Sequence, residues 1–134
     1  TLAILISQLR RFAVSDFQLF PSFHPSKECA LVKRYLDSQY SDDINLEQLA
    51  SLSHLNKNYL SHEFTRYYGI SPISYLTHRR IEVCKNLLEN TDHEISDIAH
   101  LAGFSSQSYL AQSFRKYCGM TAGEYRLSKK NQTI

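Results

Sequence analysis

The sequence contains two copies of one pattern, each about 30 residues long, and this repeat constrains the fold more than any other feature. Residues 46–55 (LEQLASLSHL) match residues 95–104 (ISDIAHLAGF), with apolar residues at the same places. After one inserted residue, residues 59–75 match residues 109–125 through paired Tyr, Leu, Phe and Gly positions. Two copies are fewer than a solenoid needs. The repeat therefore predicts two equivalent small units.

Each copy predicts a helix, a tight turn and a second helix. Residues 46–53 and 95–102 show short apolar periodicity, and a break follows each of them. After the break, apolar side chains recur at positions i, i+4 and i+7, as on one face of a helix. These residues are Leu60, Phe64 and Tyr67 in the first copy and Leu110, Phe114 and Tyr117 in the second. The pattern predicts two helix-turn-helix units.

Residues that favour turns and helix ends occur at the predicted boundaries. Gly103 is free to adopt a positive φ, and His54 is a residue type that the left-handed region tolerates. We expect Asn56 and Ser105 to be the N-caps of the second helices. A glycine then follows each second helix, where left-handed C-caps are common.

Three further helices are predicted outside the two units. Ser71 and Pro72 suit the N-cap and first position of a long connecting helix to about residue 89, which would span ~27 Å. A capping box at residues 121–124 begins the last helix, and residues 25–40 form the first. The sequence therefore predicts an all-α fold of about seven helices without strands.

Composition excludes several other classes of protein. The 134 residues fit one domain or two very small ones. Three cysteines lie far apart, never as CxxC, and six histidines lack metal-ligand spacing, so we expect no disulfide framework and no metal. No phosphate loop or nucleophile elbow appears, so we expect neither an enzyme nor a cofactor. The longest apolar run, 2–6, is too short to span a membrane, and a cytoplasmic location is expected.

Residues 27 to about 127 resemble the DNA-binding domain of the AraC/XylS class of bacterial transcription regulators, in which a long helix joins two helix-turn-helix units. The second unit is its most specific part, and the connecting helix supports it. The matching residues are Ile95, Ile98, Ala99, Gly103, Phe104, Ser105, Ser108, Tyr109, Phe114, Lys116, Gly119, Met120, Thr121, Tyr125 and Arg126, with Arg80, Ile81, Leu87 and Leu88. Departures from the usual pattern are His54, His62, Gln112 and Ala122.

The second helix of each unit has a polar face opposite its apolar stripe, which is how a helix in the major groove meets base edges. With the resemblance, this face implies the following base-reading candidates: Lys57, Asn58, Ser61, His62, Ser106, Gln107, Ser108 and Gln112. Phosphate contacts are expected from Thr65, Arg66, Arg115 and Lys116. Tyr59 and Tyr109 suit either packing or a DNA contact.

Arg80 matches the family's helix-linking arginine. We expect its guanidinium to pair with an acidic residue such as Asp97, and we therefore exclude it from the DNA contacts.

The resemblance also implies a domain organisation. Residues 25–130 would form the double helix-turn-helix domain, and residues 131–134 a tail. Residues 1–24 would be the end of a preceding sensing and dimerising domain plus a linker, and Thr at position 1 indicates a fragment of a longer protein. An apolar stripe between Leu2 and Phe12 would pack on that absent domain, on a second copy, or back on this domain.

Two functions remain open from the sequence. The first is a sequence-specific DNA-binding transcription regulator, an activator that touches RNA polymerase and dimerises through its preceding domain, as the family implies. The second is a helical protein-interaction module whose repeated polar faces meet a protein partner without DNA readout. Binding that weakens steeply with salt would indicate DNA, and salt-tolerant binding would indicate the second function.

Overall fold

The computed structural model describes residues 26–132, and this part of the chain is entirely helical apart from its turns. The predicted N-terminal stripe and its linker lie outside the described residues. The helices of the described part are α1 (Lys27–Ser38), α2 (Leu46–Ser53), α3 (Lys57–Tyr68), α4 (Pro72–Asn90), α5 (Ile95–Ala102), α6 (Gln107–Cys118) and α7 (Ala122–Gln132). The all-α fold with seven helices and two helix-turn-helix units is confirmed.

Three helix ends differ from the sequence-based expectation. The first helix ends at Ser38 rather than Tyr40 because the chain turns at residues 39–41. The connecting helix α4 extends to Asn90, one residue beyond its expected end. Helix α7 extends to Gln132, into the expected tail, because neither glycine nor proline follows Lys130 to end it.

The chain divides into two compact bodies, each of which contains one helix-turn-helix unit. The described part of the first body consists of residues 26–35 and 44–74, which include α2 and α3. Its buried residues come from one face of each helix. They are Cys29, Val32, Leu49, Ser53, Leu60, Glu63, Phe64, Tyr67 and Pro72. Burying one apolar face of each helix leaves the polar faces of α2 and α3 exposed.

The second body, in its described part, consists of residues 36–43 and 75–132 and contains α5, α6 and α7. One continuous apolar cluster forms its core. The cluster contains Ile81, Cys84, Leu88, Ile98, Ala99, Ala102, Phe104, Leu110, Phe114 and Ala122. The ring of Tyr125 packs against Phe114 with 5.5 Å between centroids. This cluster fixes α6 against α5 and α7.

Candidate nucleic-acid interface

The turn before α3 is held by two short-range caps. His54 adopts φ 60° and ψ 27° at the C-terminus of α2, as its position predicted. The side-chain oxygen of Asn56 accepts hydrogen bonds from the backbone N–H groups of Asn58 (2.8 Å) and Tyr59 (3.3 Å). Both expectations for this turn are confirmed, and together they fix the direction in which α3 begins.

The turn before α6 also has a left-handed residue and a side-chain N-cap, but the cap is not the expected residue. Gly103 adopts φ 95°, as expected, but the N-cap is Ser106 and not Ser105. The hydroxyl oxygen of Ser106 accepts the hydrogen bond from the backbone N–H of Tyr109 at 3.0 Å. The inserted residue of the second copy lies in this turn, which spans 103–106 where the first spans 54–56, and it moves the cap by one position.

Helix α3 presents its base-reading candidates on the side away from the core. Most of them are exposed and Ser61 is half-buried. The exposed base-reading candidates are Lys57, Asn58 and His62, and the phosphate candidates Thr65 and Arg66 are exposed beside them. They form one polar face because Leu60, Phe64 and Tyr67 occupy the opposite, buried face.

Helix α6 presents an equivalent face, with Ala111 at the position of Ser61. All of its candidates are exposed: Ser106, Gln107, Ser108, Gln112, Arg115 and Lys116. The Ser106 hydroxyl is already an acceptor in the helix cap, which leaves its hydrogen to donate. No hydrogen bond within the described residues engages the side-chain amide of Gln112, so both its donor and its acceptor face solvent.

The cations of the two faces have different surroundings. Lys57 Nζ lies 2.9 Å from Glu47 Oε2, and Arg66 lies 3.5 Å from the carboxylate of the nearly buried Glu63. Arg115 and Lys116 form no ion pair with a carboxylate within 4 Å among the described residues; Lys116 Nζ lies 5.8 Å from the ring centroid of Tyr117. Neither of these carboxylates, Glu47 or Glu63, is among the site residues that the sequence predicts. The i,i+3 spacing of Glu63 and Arg66 on one helix could have predicted their ion pair. The Glu47–Lys57 pair could not be predicted in this way, because the turn between α2 and α3 brings its two residues together.

Two tyrosines lie at the edges of these faces. Tyr59 is 53% exposed and Tyr109 is 42% exposed. The ring of Tyr109 packs edge-on against Phe104, with 5.5 Å between centroids. Partial burial raises the pKa of Tyr59, which keeps its hydroxyl protonated and able to donate. The Tyr109 ring both packs and remains accessible, whereas the Tyr59 ring is mostly exposed.

The expected pairing of Arg80 with Asp97 is wrong. The Arg80 guanidinium donates to the backbone carbonyl oxygens of Tyr40 and Asp42, each at 2.7 Å, and Asp97 is exposed on α5. Burial lowers the pKa of Arg80, whose charge is compensated by these carbonyls. Arg80 therefore fixes the turn after α1 to α4, which supports its exclusion from the DNA contacts.

The described part of the chain lacks the groupings that metal chemistry would need. Within residues 26–132 no three His, Cys, Asp or Glu side chains lie close enough to hold a metal ion. Cys84 is buried, and this burial raises the pKa of its thiol to about 12. No helix in the same residues is both long enough and apolar enough to cross a membrane.

Comparisons with known proteins agree with this geometry. A family model described as a helix-turn-helix domain matches residues 49–128. The regulatory protein PocR of Salmonella typhimurium is 36% identical over 79% of this chain, and the virulence regulon transcriptional activator VirF of Yersinia enterocolitica is 36% identical over 73%. The C-terminal domain of AraT, a response regulator from Geobacillus stearothermophilus, superposes with TM-score 0.76 and 30% identity over 78% of this chain and 88% of that domain.

The paired helix-turn-helix units and their exposed polar helices define a DNA-binding domain of a transcription regulator. The chain belongs to the AraC/XylS-type helix-turn-helix family. It spans about a third of the length of these two curated relatives, 35% of PocR and 36% of VirF.

Proposed function

We propose that this chain reads DNA sequence by placing α3 and α6, its reading helices, in successive segments of the major groove. The observation that carries this proposal is the repetition of one arrangement: a left-handed turn, an N-cap, and a helix with an exposed polar face. A single polar helix face is ordinary protein surface. Two such faces after equivalent turns, in a domain of this family, favour DNA as the ligand.

Base readout and phosphate contact are assigned to different parts of each reading helix. Asn58, Ser61 and His62 on α3 face the base edges, with Lys57 at the helix start. Gln107, Ser108 and Gln112 do so on α6, beside the Ser106 cap. Residues 65–66 and 115–116 lie one turn farther on and contact phosphates, which position the protein without reading sequence.

The side-chain amide of Gln112 predicts which base α6 prefers. A glutamine amide matches the acceptor N7 and the donor N6 of adenine, whereas arginine matches the two acceptors of guanine. Because the Gln112 side chain is exposed and engages no hydrogen bond in the described part of the chain, its amide is available to a base. We therefore propose an A·T base pair at the position that Gln112 faces.

The whole regulator that contains this domain is proposed to be a non-enzymatic transcription activator of the bacterial cytoplasm. VirF is itself a transcriptional activator, which supports activation here. Contact with RNA polymerase and dimerisation through a domain preceding residue 25 follow from the family resemblance. The segment 1–24 is assigned to that domain and its linker.

A salt titration tests the function directly. Binding of the chain to duplex DNA should weaken linearly on a double-logarithmic plot, by about one decade of affinity per decade of salt for each phosphate contact. The three cationic phosphate candidates, Arg66, Arg115 and Lys116, then predict a slope of about −3, because the uncharged Thr65 releases no counterion. A complex with DNA that is insensitive to salt, or no complex at all, would contradict the proposal.

A further inference from the structure

The two reading helices differ in the carboxylates that surround their cations. In the first unit, Glu47 on α2 contacts Lys57 at 2.9 Å, and Glu63 on α3 contacts Arg66 at 3.5 Å. Each cation at the DNA-facing surface of this unit therefore already has an anionic partner. The surface is electrostatically balanced before any DNA phosphate arrives.

The second unit lacks these carboxylates at the same places of the repeat. Ser96 occupies the position of Glu47, Ser113 occupies the position of Glu63, and Gln107 replaces Lys57. Its two cations, Arg115 and Lys116, have no carboxylate within 4 Å in the described residues. Glu124, whose pKa the backbone N–H of Thr121 lowers most, lies near enough to Arg115 for the guanidinium to help lower that pKa, but the two side chains form no ion pair within 4 Å. The two units therefore differ both in the residues at matched positions and in the ion pairs that the structure shows.

The geometry of the Glu47–Lys57 pair shows that it is formed in the free protein. The hydrogen bond from Lys57 lowers the pKa of Glu47, so this carboxylate stays charged at neutral pH. Half of the Lys57 side chain and two-thirds of the Glu47 side chain are exposed, which leaves the pair accessible to an incoming phosphate. On nonspecific DNA, where Lys57 meets no base that it matches, a phosphate must compete with Glu47 for its ammonium group.

We propose that Glu47 and Glu63 restrain the first unit from binding DNA nonspecifically, by holding Lys57 and Arg66 in internal ion pairs. This inference rests on the proposed DNA-binding function and deepens it. The second unit then supplies most of the sequence-independent affinity through Arg115 and Lys116, which no carboxylate contacts within 4 Å in the described residues. The first unit engages only where contacts from Asn58 and His62 to the bases offset the loss of its ion pairs, so the carboxylates act as specificity determinants.

A double-mutant cycle on Glu47 and Lys57 separates this mechanism from simple repulsion of DNA by a negative charge. We expect Glu47→Gln to tighten binding to a random-sequence DNA duplex about two- to fivefold at low salt, the range set by exposed ion pairs. The slope of the salt dependence should steepen by about one, as Lys57 gains a phosphate contact. In a Lys57→Gln background the same Glu47→Gln change should have a much smaller effect.

The matched control is Glu82→Gln on α4. Glu82 also pairs with a lysine, Lys85 at 3.3 Å, and loses the same charge, but it does not lie on a helix-turn-helix unit. Its replacement should leave the salt slope unchanged. Glu63→Gln is a second test with the same expected direction, checked for folding by its helical circular dichroism because Glu63 is nearly buried.

The outcomes distinguish this inference from the proposed function. If the unsubstituted chain binds the random-sequence duplex with a normal salt dependence and Glu47→Gln changes neither affinity nor slope, the inference is wrong and the proposed function stands. An equal effect of Glu47→Gln with and without Lys57 would also overturn it, because that result indicates general repulsion. A chain that binds no DNA would contradict the proposed function and this inference with it.

Discussion

A Cβ atom built on Gly103 would lie 2.6 Å from the carbonyl oxygen of Tyr40. Such a contact is closer than Cβ atoms in proteins tolerate, and Gly103 also has φ 95°. Tyr40 accepts its hydrogen bond from Arg80 at this same oxygen. The turn of the second helix-turn-helix unit, the turn after α1 and the connecting helix therefore meet at one close-packed point.

We predict that Gly103→Ala destabilises the protein by about 3 kcal/mol or more, because it adds a steric clash with backbone atoms to left-handed strain. Gly119→Ala is the control. It has φ 75° but no atom within 4 Å of its added carbon, so it should cost only about 1 kcal/mol. Urea unfolding followed by circular dichroism measures both. Equal losses for the two variants would show that the contact with Tyr40 is unimportant.

Arg80→Met is expected to lower the free energy of unfolding by about 2 kcal/mol, since it keeps a long apolar stem but leaves the carbonyls of Tyr40 and Asp42 without their charged donor. Arg79→Met is its neighbour control: the side chain is half-exposed, its ion pair with Asp37 is 3.9 Å long, its hydrogen bond to the Asp37 carbonyl is long at 3.4 Å, and it lies over the Tyr40 ring. It should cost less than 1 kcal/mol. An unchanged unfolding midpoint for Arg80→Met would contradict the assigned role.

The sequence was sufficient to predict the elements built on local chemistry. The repeat, the left-handed positions and the Asn56 cap all depend on residues close in the chain, and the structure has them as expected. The N-cap of α6 was missed by one position because either of two adjacent serines can cap a helix, and the length of the turn decides between them. The partners of Arg80 were missed because backbone carbonyls carry no signature in the sequence.

Among the candidate DNA contacts, exposure followed from periodicity, but ion pairing did not. The apolar stripe correctly predicts the buried side of both helices at Leu60, Phe64 and Tyr67 and at Leu110 and Phe114, but Tyr117 of the second stripe is 38% exposed. Whether Lys57 forms an ion pair depends on Glu47, ten positions earlier, and therefore on the angle between α2 and α3. Periodicity within one helix contains no information on that angle.

Lys116→Ala should weaken binding to all DNA sequences alike and lower the salt slope by about one, because a phosphate contact carries no base information. Arg66→Ala should act in the same direction with a smaller change, because Arg66 is already paired with Glu63. Titrations on several unrelated duplexes measure both effects. A change in which sequences are preferred would show that the substituted residue reads bases.

Gln112→Arg should move the base preference of α6 from adenine toward guanine, since arginine donates twice where glutamine both donates and accepts. The discrimination gained by one such bidentate contact is about 1 to 3 kcal/mol. Gln107→Arg is the control at the start of the same helix and should leave the preference at that base position unchanged. Identical preferences for the Gln112→Arg variant and the unsubstituted chain would mean that Gln112 reads no base.

Selection of binding sites from random duplex DNA, with the unsubstituted chain, tests the central claim most directly. If α3 and α6 both read the major groove, the selected DNA should contain two enriched blocks whose centres lie about 10 base pairs apart, one helical turn. The block that α6 reads should contain an A·T pair. A selected pool with the same base composition as the starting DNA at every position would contradict the account.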